Sequence, residues 1–322
     1  MVQGMSTMKP MISVKNLTKD YGDTRAVDEV TFTIDPGECI GLLGLNGAGK
    51  TTLLRMLSCL LTPTAGEILV AGEDVVEDSL SVRGKIGFLP ENPPLYPEMS
   101  VGRYLAFAAR LRGVPAPSAE ARVLEAARRC QVDHKLDQSI ETLSYGFRKR
   151  VGIAQAIIHQ PPLVILDEPI AGLDPKQIVE MRELVRSLRG AHTVVLSSHN
   201  LPEVSQTCDR ILVMHHARIV DQGSGEDLAD RVGRGRGLHV QVRGGRDAVH
   251  KVLEGAPGVN SVKFQDEADG AVTFELSCKS DVRAEVAKAV VTAGLGLLSL
   301  SKVELGLESV FLKLTRDKEG QA

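Results

Sequence analysis

The chain has 322 residues, among them 38 lysines and arginines and 41 aspartates and glutamates, for a formal net charge of −3. This length is sufficient for two domains, because single hydrophobic cores stop growing at roughly 250 to 300 residues. The balanced charge excludes a global field that would recruit nucleic acid or an acidic membrane surface, so any charged partner must be met locally.

The cysteines and the apolar runs favour a soluble cytosolic chain. The five cysteines are scattered, without a C-x-x-C pair or the regular spacing of a metal site or disulfide framework. No stretch approaches the ~20 apolar residues that span a bilayer. The N-terminal stretch MVQGMSTMKPM lacks the apolar core of a signal peptide. We expect any membrane role to depend on a partner.

The N-terminal part of the chain predicts an α/β architecture. Residues 11–34 alternate apolar and polar positions around a YGDT turn, which indicates an antiparallel hairpin. An apolar strand ECIGLLG from Glu38, a glycine-rich turn and the helical pattern TTLLRMLSCLL follow. The runs LVILDEP from Leu163 and HTVVLSSH from His192 have the near-continuous hydrophobicity of parallel strands covered on both faces. The helical stretch PKQIVEMRELVRSLRG lies between them, as in α/β folds.

Two other regions differ from this pattern. Residues 98–160 contain three helical segments, which predict a helical subdomain. After Gly223 the sequence becomes charged, and RVGRGRG at 231–237 is typical of a linker, although its arginines could instead hold phosphate. Beyond it, the order βαββαβ predicts a ferredoxin-like split sandwich, followed by a closing helix LESVFLKL and without a catalytic signature. The predicted parts are a domain over 12–223, a linker over 224–237 and a small α+β accessory domain over 238–316.

GLNGAGKT, from Gly44 to Thr51, matches G-x-x-x-x-G-K-[ST] between a predicted strand and a predicted helix, the context in which this motif binds nucleotide phosphates. Its glycines let consecutive backbone N–H groups turn toward phosphate oxygens, Lys50 reaches the β and γ phosphates, and the Thr51 hydroxyl ligates Mg²⁺. An incidental glycine-rich turn is the alternative. The candidate nucleotide-binding residues of this cradle are Gly44, Asn46, Gly47, Ala48, Gly49, Lys50, Thr51 and Thr52.

A pair of carboxylates follows the predicted strand LVIL. Asp167, at the strand end, can hold Mg²⁺ directly or through water. Glu168 then lies beside the γ phosphate, where it could polarise an attacking water as general base. Acidic residues after a strand are usually just a solvated strand end, but the cradle upstream favours the functional interpretation.

LSYGFRKR, residues 143–150, has the pattern of a second anion site. A serine and a glycine followed by three basic residues indicate a helix start, where the first backbone N–H groups lack intrahelical partners and the macrodipole is positive. An ordinary capped helix is the alternative. Because a complete phosphate cradle is already present, these residues by themselves leave open what the second site holds.

The segments GLNGAGKTT, LSYGFRKR, LVILDEP, AGLD and SSH occur in this order, and over about residues 12–223 the chain resembles the nucleotide-binding domain of ABC transporters. The resemblance is nearest to exporter ATPases whose permease is a separate polypeptide, a group in which a C-terminal extension ending in a motif like LESVFLKL also occurs. It implies a P-loop ABC-ATPase cassette with a RecA-like core, an antiparallel β subdomain and a helical subdomain. It also implies ATP and Mg²⁺ as ligands, and ATP hydrolysis as the reaction.

The same resemblance implies the partners. In this family two cassettes pack head to tail, and the signature segment of one caps the γ phosphate in the cradle of the other. LSYGFRKR would then hold the partner's ATP through Ser144 and Gly146, although Tyr145 and Phe147 stand where Gly and Gln are commonest. We expect a homodimer, or a heterodimer with a second cassette, bound to an integral-membrane permease at the inner face of the cell membrane. No nucleic-acid partner is expected.

Three further residues receive roles from the resemblance. Tyr21 falls where the family stacks an aromatic ring on adenine, although it could also be a plain hairpin aromatic. Asp174 in AGLD lies in the loop that communicates between the two sites, and LDP is also a good helix N-cap. His199 matches the switch histidine that contacts the γ phosphate. The adjacent His215 and His216 lack an evident third metal ligand, and we expect them at the surface.

Glu91 departs from the family pattern. In FLPENPPLYPEM the family usually has glutamine at this position, in the loop that touches both the magnesium site and the permease. Glutamate still offers an oxygen to metal or water, but it adds one negative charge beside Asp167 and Glu168. We therefore expect Glu91 to keep its role at the metal and in catalysis, with an altered dependence on Mg²⁺ or pH.

These features favour an energy-coupling ATPase subunit of an ABC transporter over two other classes. A soluble ABC-type ATPase acting on DNA or the ribosome is the alternative, but the long heptad insertions of repair members and the paired cassettes of translation factors are not present in this sequence. A regulatory module that does not turn over is disfavoured by Glu168 and His199. The transported substrate cannot be inferred, because a cassette does not contact it.

Overall fold

The computed structural model describes residues 9–232, 237–268, 270–278 and 280–302. The chain divides into two compact units, Met1–Gly225 and Glu226–Ala322. The elements of the first unit are β1 (Ile12–Tyr21), β2 (Thr24–Ile34), β3 (Cys39–Leu43), α1 (Lys50–Leu57), β4 (Ala65–Val70), β5 (Glu73–Asp74), α2 (Ser79–Gly84), β6 (Ile86–Leu89), α3 (Val101–Leu111), α4 (Ala116–Arg129), α5 (Tyr145–Ile157), β7 (Leu163–Leu166), α6 (Pro175–Ser187), β8 (Thr193–Ser198), α7 (Leu201–Thr207), β9 (Arg210–His215) and β10 (Arg218–Gly223), with short 3-10 turns at Asp133–Lys135 and Ile140–Thr142.

The central sheet of the first unit has the strand order β10-β9-β3-β8-β7-β6. Strand β3 pairs in parallel with β8 and β9, and β7 pairs in parallel with β6 and β8. Every residue of β3, β7 and β8 is buried, as expected for parallel strands covered on both faces. Since the carboxyl ends of parallel strands meet at one edge of a sheet, the loops after β3, β7 and β8 converge there.

A second, antiparallel sheet has the order β2-β1-β4-β5 and contains the predicted hairpin, with Ile12 opposite Ile34 and Tyr21 opposite Thr24. One hydrophobic core joins this sheet to the central sheet and to α1, through residues such as Phe32, Leu54 and Ile165. Burying a leucine side chain contributes roughly 1.5–3 kcal/mol. The buried face of α1 therefore holds the helix that follows the glycine-rich loop rigidly against both sheets.

The predicted helical subdomain consists of α3, α4 and α5. Helix α3 begins after Ser100, whose hydroxyl accepts a hydrogen bond from the Arg103 N–H, and it buries Val101, Tyr104 and Leu105 at helical spacing. Helix α5 returns the chain to the central sheet, because it contacts β6 and β7 as well as α3 and α4. The position of α5 brings the LSYGFRKR segment and the carboxyl end of β7 together.

The second unit has the predicted βαββαβ order. Its elements are α8 (Gly225–Val232), which begins at the boundary, and then β11 (Gly237–Arg243), α9 (Arg246–Glu254), β12 (Val259–Ala268), β13 (Ala271–Cys278), α10 (Arg283–Thr292) and β14 (Gly296–Lys302). The antiparallel sheet runs β12-β13-β11-β14, the order of a ferredoxin-like sandwich. Helix α8 occupies part of the segment predicted to be a loop-like linker. Linker residues 233–236 and the predicted closing helix LESVFLKL lie outside the described residues.

Candidate functional site

The glycine-rich loop between β3 and α1 needs glycine for two steric reasons. Gly49 has φ +102°, and a Cβ atom there would lie 2.3 Å from the Ala26 carbonyl oxygen. At Gly44 a Cβ atom would lie 2.7 Å from the carbonyl oxygen of Met214, on the neighbouring strand β9. The loop can therefore turn sharply against the sheet, the backbone conformation that a phosphate cradle needs.

Lys50, the first residue of α1, is almost fully buried. Its Nζ donates to the carbonyl oxygens of Gly44 at 2.8 Å and Leu45 at 3.3 Å. It also lies 3.5 Å from Glu168 Oε1, on the loop after β7. These contacts place the ammonium group of Lys50 between the glycine-rich loop and the second carboxylate of LVILDEP.

Asp167 and Glu168 are tied together by a residue of β8. The Ser197 hydroxyl donates to Asp167 Oδ1 at 2.7 Å and accepts from the Glu168 N–H at 2.8 Å. Asp167 Oδ1 also accepts from the Thr51 hydroxyl at 3.4 Å. A hydroxyl can donate once and accept twice, so Ser197 satisfies both neighbours. The first carboxylate is thereby fixed beside the start of α1.

The Glu168 carboxylate lies between two nitrogen atoms. His199 Nδ1 is 3.0 Å from Glu168 Oε2, and Lys50 Nζ is on the side of Oε1. An ionised carboxylate only accepts hydrogen bonds, so this contact places a proton on Nδ1 of the imidazole. Glu168 is buried, whereas the His199 side chain is 53% exposed. The histidine thus connects a buried carboxylate with the open side of the cleft.

Two side chains that sequence reasoning missed contact Asp167 or Glu168. One is Ser197, which opens the SSH segment two residues before His199. The other is Lys149, a fully buried residue of α5 whose Nζ donates to the Glu168 carbonyl oxygen at 2.6 Å. Burial lowers the pKa of the Lys149 ammonium, while the charges of Glu91, Glu168 and Asp167 act to raise it. The sequence signal that could have identified Lys149 is a lysine on the buried face of a predicted helix.

Most of the predicted site residues line one cleft. Asn46, Lys50 and Thr51 come from the glycine-rich segment, and Glu91, Glu168 and His199 come from the loops after β6, β7 and β8. The complete lining is Ala26, Asn46, Gly47, Ala48, Gly49, Lys50, Thr51, Thr52, Glu91, Glu168, Ala171 and His199.

Gly44 and Asp167 contact the lining residues Lys50 and Thr51 but are not themselves part of the lining. Four other predicted residues, all within the described ranges, also lie outside it: Tyr21, Ser144, Gly146 and Asp174. Tyr21 ends the first hairpin strand, is 47% exposed and has Lys19 Nζ 5.4 Å from its ring centroid. The Ser144 hydroxyl caps α5 by accepting from the Phe147 N–H at 3.4 Å. Asp174 Oδ1 caps α6 by accepting from the Gln177 N–H at 2.9 Å. The helix-capping interpretations of both residues are thus correct locally.

The donor atoms of the cleft suit magnesium. Thr51, Asp167 and Glu91 offer only oxygen atoms, and Mg²⁺ is usually bound by one or two carboxylates together with substrate phosphates and water. Within the described ranges, no group of three or more His, Cys, Asp or Glu side chains is arranged to hold a metal ion by itself. This applies also to His215 and His216, whose ring centroids are 4.0 Å apart.

None of the helices in the described parts of the chain is long and apolar enough to cross a membrane.

Residues 27–171 match the family model described as "ABC transporter". The chain is similar to the linearmycin resistance ATP-binding protein LnrL of Bacillus subtilis, with 32% identity over 95% of this chain and 98% of LnrL. It is also similar to the bacitracin transport ATP-binding protein BcrA of Bacillus licheniformis, with 31% identity over 95% of this chain and 98% of BcrA.

Solved structures agree with these relatives. An ATP-binding subunit of an ABC transporter matches with a TM-score of 0.63 and 30% identity, over 70% of this chain and 94% of that subunit. The ATP-binding cassette MJ0796, solved as a dimer with ADP and Pi, matches with a TM-score of 0.61 and 25% identity, over 66% of this chain and 98% of the cassette. The match along nearly the whole of LnrL, together with the geometry of the cleft, shows that this chain belongs to the ATP-binding subunits of ABC transporters, which are ATPases.

Proposed function

We propose that this chain is the energy-coupling ATPase of an exporter, that it acts as a dimer of cassettes, and that it drives a separate permease from the inner face of the membrane. The names of LnrL and BcrA, "linearmycin resistance" and "bacitracin transport", support transport out of the cell. Both relatives are covered almost completely by this chain, so their domain composition is comparable.

The observation that carries the proposal is the position of Glu168, held between His199 and Lys50 at the mouth of the glycine-rich loop. We propose that Glu168 takes the proton of the attacking water, as a general base. His199 orients this carboxylate and contacts the γ phosphate, and Lys50 offsets negative charge on the phosphates. Thr51, Asp167 and Glu91 would hold Mg²⁺, which would supply positive charge to the bound phosphates.

The residues outside the cleft fit a composite site made by two chains. Ser144 and Gly146 stand at the N-terminus of α5, where backbone N–H groups favour an anion. We propose that they cap the ATP bound in the cleft of the partner cassette, while Asp174 communicates between the two sites. Tyr21, which is half exposed on its hairpin, stacks on the adenine.

A groove beside the cleft is the surface that we propose for the permease. Glu91 lines the cleft, whereas Asn92 and Leu95, the following part of the same loop, line a neighbouring groove. Tyr145 and Arg148 of α5 line the groove from the other side. A rearrangement of this loop therefore reaches the catalytic cleft and the permease surface together.

Co-expression with the integral-membrane protein encoded beside this chain tests the proposal. We expect the two proteins to co-purify from detergent-solubilised membranes, and we expect ATP-dependent efflux in cells that express both. Lys50→Ala should abolish efflux and leave co-purification intact, because it removes a phosphate contact and not a surface contact. Failure of the wild-type chain to associate with any membrane protein would contradict the proposed role.

A further inference from the structure

Lys149 makes a contact that the roles assigned above do not use. Among the described residues whose burial is defined, it is the only lysine or arginine without exposed surface. Its long side chain crosses from α5 to the loop after β7 and ends at the Glu168 carbonyl oxygen, 2.6 Å away. An ammonium group is expensive to bury unless hydrogen bonds and opposite charges compensate it. The compensation in this case comes from the residues around the general base.

The backbone of Glu168 needs such support. Its φ is +47°, in the left-handed region that is unfavourable for residues other than glycine. The Glu168 N–H is held by the Ser197 hydroxyl at 2.8 Å, and its carbonyl oxygen is held by Lys149. The peptide groups on both sides of this strained residue are therefore anchored from different elements, β8 and α5. Strained residues persist only where their surroundings determine their conformation, and they are frequent at active sites.

The charges around Lys149 also indicate a role at Glu168. Three carboxylates, those of Glu91, Glu168 and Asp167, act on its ammonium group. Glu91 also lines the nucleotide cleft, so its charge adds to that of Glu168 there. Like charges in a partly buried cluster disfavour one another, and a cation among them relieves that repulsion. Lys149 thus contacts the backbone of the loop after β7, and the nearby carboxylates favour its positive charge.

We propose that Lys149 is a positioning residue for ATP hydrolysis, which holds Glu168 in its left-handed conformation through the carbonyl oxygen and offsets the charge of Glu91. The inference rests on the proposed role of Glu168 as general base. Because Lys149 does not line the nucleotide cleft, its loss should affect turnover much more than nucleotide binding.

Two substitutions separate the two parts of this role. Lys149→Met keeps an unbranched apolar side chain but removes both the hydrogen bond and the charge. Lys149→Gln keeps a hydrogen-bond donor, one bond closer to the backbone than Nζ, and removes the charge. The exposed Lys15, which pairs with Glu67 on the antiparallel sheet, provides the control variant Lys15→Gln. Glu91→Gln and the double variant Glu91→Gln/Lys149→Gln complete a double-mutant cycle with Lys149→Gln and the wild type.

The measurements are kcat and KM for ATP in the presence of Mg²⁺, affinity for a fluorescent ATP analogue, and Tm. We expect Lys149→Met to lower kcat at least ~10-fold with KM within ~3-fold of wild type. Lys149→Gln should lower kcat in the wild-type background but less than ~3-fold in the Glu91→Gln background, since the charge that it offsets is then absent. The decrease in Tm should be smaller for the double variant than the sum for the two single variants. Lys15→Gln should match wild type.

Three outcomes overturn the inference: a Lys149→Met chain with wild-type kcat, a change confined to KM, or a Lys149→Gln defect that Glu91→Gln leaves unchanged. If Lys149→Met does not fold, the Lys149→Gln cycle decides. A wild-type chain that binds the analogue but does not hydrolyse ATP overturns the proposed mechanism instead, and the Tm cycle still decides whether Lys149 offsets Glu91.

Discussion

Asp167 and Glu168 are adjacent in sequence, yet their side chains have different surroundings. Asp167 faces hydroxyl groups, those of Ser197 and Thr51, whereas Glu168 faces two basic side chains, those of His199 and Lys50. Hydroxyl groups leave lone pairs of the first carboxylate available for a metal or water. Basic neighbours on both sides suit the second carboxylate to the proposed role of general base. One strand end thus provides two carboxylates for two roles.

Substitution of Lys50 and of Glu168 should produce different defects. Lys50→Ala removes a phosphate contact, so we expect affinity for ATP to fall at least ~10-fold together with turnover. Glu168→Gln keeps the shape of the side chain and removes the base, so binding should persist while hydrolysis falls by ~10²-fold or more. Dimers trapped with ATP should accumulate only in the second variant. Sedimentation with saturating ATP checks this, and a monomeric Glu168→Gln protein would contradict closure of a dimer.

His159 should make the stability of the chain dependent on pH. Burial lowers the pKa of His159 to about 4, and the Arg112 guanidinium acts in the same direction. An unfolded histidine has a pKa of ~6.5, so between these values the unfolded chain binds more protons than the folded chain. The free energy of unfolding should therefore decrease as the pH falls from about 6.5 toward 4. His159→Gln should reduce this decrease.

Urea unfolding of the wild type and of His159→Gln at several pH values across that window measures the effect. The exposed His134 provides the matched control, His134→Gln, which should follow the wild type. Equal pH slopes for all three proteins would show that His159 is as easily protonated in the folded chain as in the unfolded chain.

At the scale of elements, helix α5 combines several tasks. Its N-terminus carries Ser144 and Gly146, and its second turn carries Lys149, which reaches the loop after β7. A Cβ atom at Gly146 would lie 2.5 Å from Gln177 Oε1, so this glycine lets α5 approach α6 closely. The same helix therefore contacts the proposed general base of its own chain and presents the segment proposed to cap ATP in the partner.

Ser144 allows the structural and functional roles of this N-terminus to be separated. Ser144→Ala removes the cap and should reduce the free energy of unfolding by about 1 kcal/mol. Ser144→Asp retains a good cap, so stability should stay within ~0.5 kcal/mol of wild type. Its negative charge would, however, oppose the γ phosphate of the partner's ATP, and we expect ATPase activity to be lost. Thermal unfolding and ATPase assays compare the variants, and an active Ser144→Asp protein would leave Ser144 only its capping role.

At the scale of the whole molecule, all cleft-lining residues belong to the first compact unit. We therefore expect a chain truncated after Gly223 to fold and to bind ATP with an affinity within ~3-fold of the full chain. Circular dichroism and binding of a fluorescent ATP analogue test this. Loss of binding on truncation would show that the nucleotide-binding domain extends beyond β10.

A mixed dimer tests the composite site directly. Lys50→Ala and Ser144→Arg should each abolish activity in a homodimer, because each damages both sites. In a mixed dimer one site combines both lesions, while the other pairs an intact cradle with an intact Ser144, so part of the activity should return. Co-expression with two affinity tags isolates mixed dimers for the ATPase assay. No recovery in verified mixed dimers would indicate that Ser144 acts only within its own chain, provided that the wild type is active without its permease.

The sequence by itself determined the features that depend on neighbouring residues. Apolar runs predicted the parallel strands β3, β7 and β8, and the spacing of glycines predicted the tight turn at Gly49. Serine and aspartate before helical patterns predicted the caps of α5 and α6. The motif order was sufficient for the family, because each motif is a short segment whose chemistry depends on its own residues. The βαββαβ order of the second unit was likewise readable from local periodicity.

Only the tertiary structure decided which of these segments meet. Strand order places β8 beside β7 and β9 beside β3, which brings Ser197 to the Asp167 carboxylate and the Glu168 N–H, and Met214 to the glycine-rich loop. Lys149 reaches Glu168 because α5 packs on β6 and β7. Helix α8 forms where the charged sequence indicated a connector. These contacts join residues that are distant in the chain. Local periodicity carries no information about strand order, or about which carbonyl oxygen a buried lysine will contact.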